Sequence, residues 1–211
     1  MSIKLKHSGG NSVSLNPPTS APTSSEVVFK LPTSDGSAGQ VLTTDGSGNL
    51  SWKTPGKILQ VIQTEKSDVT YNASLDTFVD ISGMSVSITP SATTSKILVM
   101  YTLRLSCDQD DNIAHRLMRG STAIHIGDAD SNQERVTGSI RIIGNEKHEM
   151  RTESATFLDS PNTTSATTYK VQWCSTFASG NFYLNRSDTD SGANNDRARA
   201  ASSITVMEIA V

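Results

Sequence analysis

The chain has 211 residues, of which 35% are apolar and 18% charged, with a formal net charge of −3. Ordinary globular domains carry roughly 45–50% apolar and about 25% charged residues, so a large helical bundle, a coiled coil and a charge-rich disordered chain are excluded. No stretch reaches the roughly 18 apolar residues of a membrane span, Met1 leads into Ser2-Ile3-Lys4-Leu5-Lys6 where a secretory leader would be apolar, and the small net charge gives no field for nucleic acid or anionic lipid.

Residues 1–56 differ from the rest: Ser, Thr, Gly and Pro fill over half of them, including five of the seven prolines. Such a segment buries too little apolar surface to offset its chain entropy and is not expected to fold alone. It carries strand-sized apolar pieces, however. Ile3 and Leu5 alternate with lysines, Val13 and Leu15 alternate with polar residues, and Val27, Val28, Phe29 and Leu31 precede Pro32. These pieces predict an extended arm over 1–31 that becomes ordered by strand addition to a partner. An echo follows, Thr33-Ser34-Asp35-Gly36-Ser37 and Thr43-Thr44-Asp45-Gly46-Ser47, ten residues apart. Each Asp-Gly predicts a tight hairpin turn, so 32–56 reads as a hairpin neck ending at Trp52 and the Pro55-Gly56 break.

From Lys57 onward the apolar period is two. Ile97 to Leu105, Met84 to Ile88, Tyr169 to Trp173 and Ile204 to Glu208 all alternate, and further strands are expected at 58–64, 76–81, 113–118, 122–126, 136–143, 149–158 and 181–186. Roughly ten short strands with turn signals between them predict an all-β domain over 57–211, an antiparallel sandwich of the jelly-roll type. No segment has the caps and period of a helix.

Chemistry-bearing clusters are sparse. His115 and His125 lie symmetrically about Gly120; a three-residue loop at 119–121 would set them opposite each other as a polar pair on a solvent face. Asp128-Ala129-Asp130-Ser131-Asn132 has the alternating oxygens of a calcium loop, but Gln133 and Ser139 stand where Gly and a bidentate Glu belong. There is no nucleophile elbow, phosphate loop or zinc-protease motif, so no enzyme activity and no cofactor are expected. Cys107 and Cys174 lack metal or redox spacing, and whether they pair is open.

The segment from Leu31 to Trp52, with its two Asp-Gly repeats and Gly48-Asn49-Leu50-Ser51-Trp52, resembles a neck motif of bacteriophage tail-fibre and other virion appendage proteins. The opening Ile3-Lys4-Leu5-Lys6-His7-Ser8-Gly9-Gly10-Asn11 is similar to the virion-proximal start of such proteins in marine and cyanobacterial phages. Ser202-Ser203-Ile204-Thr205-Val206-Met207-Glu208-Ile209 resembles the last strand of their distal domains. The resemblance implies a virion protein made in the bacterial cytoplasm, a homotrimer with an N-terminal anchor and a knob facing out. Anchoring would fall to Ile3, Leu5, Val13, Leu15, Val27 and Phe29, and the trimer neck to Val41, Leu42, Leu50 and Trp52. A short tail fibre would bind a host-surface glycan or protein through loops 107–112, 127–135 and 186–199. Asp108, Asp110, Asp128, Asp130, Asn132, Asp188 and Arg197 are the candidate contacts, with Tyr183 and Trp173 as the nearest aromatic platforms. The alternative is a head fibre or cement protein that decorates and stabilises the capsid. Neither reading involves nucleic acid or membrane insertion.

Overall fold

The computed structural model describes residues 3–6, 8–10, 12–16, 18–24, 26–54, 56–108, 110–143, 149–177, 180–188 and 198–210. The chain divides into two compact units, Met1–Pro55 and Gly56–Val211.

The N-terminal unit holds two small hairpins. Strands β1 (Ile3–Lys6) and β2 (Ser12–Leu15) pair with each other, Ile3 opposite Leu15 and Leu5 opposite Val13. Over residues 3–15 the expected arm is therefore a hairpin and not a single extended run. Gly10, at φ +90°, supplies the left-handed residue that reverses the chain. Strands β3 (Val41–Thr44) and β4 (Leu50–Lys53) pair across the second Asp-Gly turn. There the Asp45 carboxylate accepts the backbone N–H of Ser47 and Asn49 and the Asn49 side chain. The first Asp-Gly does not make a hairpin. Gly36 instead lies under the Trp52 ring, where a Cβ would come within 2.6 Å of Cδ2, and Trp52 Nε1 donates to the Ser34 carbonyl at 3.1 Å. A glycine suited to a turn is used for close approach to an aromatic face.

The C-terminal unit carries β5 (Ile58–Lys66), β6 (Thr70–Asn72), β7 (Val79–Ile88), β8 (Lys96–Cys107), β9 (Asp111–Arg119), β10 (Thr122–Ile124), β11 (Gly138–Ile142), β12 (Arg151–Asp159), β13 (Thr167–Ser175), β14 (Phe182–Leu184) and β15 (Ser202–Ile209). Among the described residues there is no helix. The long strands pair as a nested ribbon, β5 with β15, β7 with β13, β8 with β12 and β9 with β11. Added pairs β15–β8 and β13–β9 close this ribbon into two sheets ordered β12-β8-β15-β5 and β11-β9-β13-β7. That connectivity is the jelly roll. Short strands extend the sheets end to end: β14 and β6 continue the lines of β15 and β5, and β10 continues that of β11.

Period-two alternation puts one side chain in two between the sheets. Val99, Leu103 and Leu105 of β8, Ile113 and Leu117 of β9, Tyr169, Val171 and Trp173 of β13, and Ile204 and Val206 of β15 form the core. Each fully buried aliphatic side chain contributes about 1.5–3 kcal/mol. Trp173 meets Phe182 edge to face, with ring centroids 4.7 Å apart.

Two of the expected strands are one. In β7 the buried positions run Ile81, then Met84, Val86 and Ile88, so the inward parity changes from odd to even. The change falls where residues 81–84 stand opposite Val171 alone, with Gly83 at φ +81°. A β-bulge therefore joins two runs that look out of phase in sequence.

Candidate functional site

In the ribbon topology the strand ends Asn72, Cys107, Asp111, Ile142, Arg151, Ser175 and Phe182 come together at one end of the sandwich. Backbone hydrogen bonds tie them together: Asp76 N–H to Ser175, Asp108 N–H to Asn181, and Thr176 N–H to Asn112. Two polar features lie there.

The first is an aromatic and charged patch on β6 and β14. Asp108 accepts the backbone N–H (3.0 Å) and side-chain amide (2.8 Å) of Asn181. The Tyr183 ring carries the Arg186 guanidinium 4.0 Å from its centroid and neighbours Tyr71, centroids 6.5 Å apart. Burial, then the charge of Asp108, raises the Tyr183 phenol above its ordinary pKa. Tyr71 is 69% exposed.

The second is an open groove of about 530 Å³ lined by Asp76, Asn112, Asn132, Gln133, Glu134 and Thr176, among others. The segment 125–137, between β10 and β11, forms one wall. It is fastened by Thr137, whose Oγ1 accepts the Leu117 N–H, and by Arg135, which donates to the Gly127 carbonyl. Carboxylates and amides on a concave wall suit hydrogen bonding to a polyhydroxylated or peptide surface. Among the described residues no three His, Cys, Asp or Glu side chains are placed to hold a metal.

The predicted contact residues divide. Asp128 and Asp130 are exposed on the 125–137 segment and Asn132 reaches the groove. Asp108 is occupied by Asn181, and Asp110 is half-buried. Asp188 is buried, with its carbonyl accepting from Arg186, so it is not a surface contact as expected. Arg197 lies outside the described residues. Trp173, expected as an aromatic platform, is 1% exposed and belongs to the core, because its position on β13 has inward parity. Tyr71 was missed in sequence because a three-residue strand, Thr70–Asn72, is too short to show a period.

The two histidines also part company. The loop after β9 has two residues, since Arg119 pairs with Thr122, and β10 ends at Ile124. His115 stands opposite Gly138 and is buried, not on a solvent face. Its Nδ1 is 2.8 Å from the Tyr101 hydroxyl of the facing sheet and its Nε2 is 3.5 Å from Glu153. Burial lowers its pKa to about 4 and pushes the Tyr101 phenol up. His125 stacks on Phe157, centroids 4.8 Å apart. Cys107 and Cys174 are both buried and are not joined in a disulfide, and burial pushes the Cys174 thiol up to about 12.

In the N-terminal unit no described side chain is buried. Leu15, Val27, Phe29, Val41, Leu42 and Trp52 are exposed and Leu50 is half-buried, with Leu42 opposite Trp52 across the hairpin. Backbone pairing places Ile3, Leu5 and Val13 in the β1–β2 hairpin.

No family model matches the chain, and no curated protein matches it. Among solved structures it is similar to a chain of the structure of infectious bursal disease virus, Gx strain, with 11% identity and a TM-score of 0.39. The match covers 81% of this chain and 42% of the other, so this chain spans less than half that neighbour's length.

Proposed function

We propose that the chain is a virion appendage protein, a homotrimer that attaches to the particle through its N-terminal unit and presents the loop end of its sandwich to the host surface. The observation that carries this reading is the contrast between the two units. A jelly roll with a sealed core follows about 55 residues that bury no described side chain yet expose eight large apolar ones, Phe29 at 66%. Such a segment is stable only against partners, and the Leu31–Trp52 neck motif resembles those of trimeric phage appendages. The polar groove and the Tyr71–Tyr183 patch supply hydrogen-bonding and stacking groups for a glycan or protein receptor.

Deletion of residues 1–31 tests the attachment. The truncated chain is expected to be absent from purified particles while the sandwich stays folded; incorporation at the full-length level contradicts the reading. Copy number separates its two forms. A few trimers per particle correspond to a tail fibre, and dozens or hundreds of copies to capsid decoration. Host adsorption by particles carrying changed loops then tests receptor binding.

A further inference from the structure

The outward faces of the two sheets have opposite character. On the second sheet, outward positions carry charge and pair it: Lys170 with Asp80 at 2.6 Å, and Arg116 with Gln172 and Glu134. That is how a sheet faces water. On the first sheet the register sets Val61, Met207, Leu98 and Leu158 side by side across β5, β15, β8 and β12, all on the face away from the core. Val61 is 56% and Leu158 46% exposed, and Ile58 and Leu59 extend the row at the β5 edge. The next row, Gln63, Thr205, Met100 and Thr156, carries no charge, with Gln63 donating to Thr205 at 2.8 Å.

We infer that this outward face of the first sheet is the contact between copies of the chain in a closed ring of three. The inference deepens the trimer part of the proposed function and rests on it. Charge favours a second copy as the occupant. Glu65 lies at the β5 side of the face, and Arg104 lies one row on, bonded to Thr152 of β12. In a head-to-tail ring the β5 side of one copy meets the β12 side of the next, which brings this acid and this base of different copies together. The area fits as well. Four strands about 4.8 Å apart and four rows about 6.7 Å apart give on the order of 500 Å² of flat surface, which side-chain relief raises toward the roughly 800 Å² per partner of a stable interface.

The test uses the full chain, with mass read by light scattering and folding by circular dichroism. Wild type is expected at the mass of three chains. The double variant Val61→Glu/Leu158→Glu is expected to fall to one chain with its β spectrum kept, and Ser85→Glu on the outward face of the second sheet to stay trimeric. A trimeric double variant overturns the assignment of the face and leaves the trimer reading standing; a monomeric wild type overturns both. Should the double variant not fold, methionine oxidation decides on the wild type. Met207 and Met100 in the trimer are expected to react with dilute peroxide at least tenfold more slowly than in unfolded chain, with the protection lost on dilution to monomer. Protection that persists in the monomer means the chain covers the face itself, which overturns the inference.

Discussion

His115 is neutral inside the sandwich because desolvation disfavours its cation, and Gly138 is what makes room for its ring. A Cβ at Gly138 would lie 2.8 Å from His115 Nε2, with the ring held between two sheets. Gly138→Ala is therefore expected to cost about 1–3 kcal/mol, the range of overpacked cores, in urea unfolding. The same histidine makes stability depend on pH. Its folded pKa of about 4 lies below the 6.5 of the unfolded chain, so between these values the unfolded state binds more protons. The stabilisation is complete above pH 6.5 and is lost as pH falls toward 4, by about 3 kcal/mol for this group. Glu153 faces the ring and acts in the opposite sense, since burial raises its pKa and its protonation favours the fold as pH falls. Unfolding titrations of wild type and His115→Leu/Tyr101→Phe should show a shallower slope in the variant over pH 4–6.5. Glu208 has a different part. It is fully buried, and although burial raises its pKa, hydrogen bonds from Ser91, Ser95 and Gln60 outweigh this and keep it lowered. Its carboxylate accepts the Ser91 N–H and hydroxyl at 2.7 and 2.6 Å, tying the β7–β8 loop to β15. Glu208→Ala leaves those donors without an acceptor and is expected to cost about 1–3 kcal/mol.

At the scale of elements, the strands with clean alternation were legible: β8, β13 and β15 each bury the side chains that period two assigns inward. What sequence could not show came from contacts distant in the chain. The parity change in β7 depends on pairing with Val171, the burial of Trp173 on the opposing sheet, and the burial of His115 on β8 and β11. The Asp35-Gly36 turn failed as a hairpin for the same reason, since Trp52 reaches back to it across 16 residues. Gly36→Ala should therefore disturb the neck alone. Trp52 fluorescence is expected to shift while the cooperative unfolding of the sandwich is unchanged; loss of sandwich stability contradicts this. The loop positions Asp128, Asp130 and Asn132 are surface residues, so replacing all three with Ala should change stability by within about 0.5 kcal/mol per site. Any effect on adsorption then reports recognition and not folding.

For the whole molecule, the division into a sealed sandwich and an N-terminal unit with no buried described side chain is the feature on which the proposed appendage depends. The candidate site was only partly legible at this scale. Exposed Asp128, Asp130 and Asn132 were readable as a polar loop, whereas the groove behind Asn132 exists because Asp76 and Thr176 arrive from two other connections and Asn112 from the start of β9. The most direct measurement of the central claim is the density of the outer surface of virions that carry the chain, fitted with the sandwich of residues 56–210. The account predicts clusters of three sandwiches around a three-fold axis, with the loops that carry Asp108 and Asn181 pointing away from the particle. Single sandwiches, or sandwiches lying flat on the particle with those loops facing inward, would contradict it.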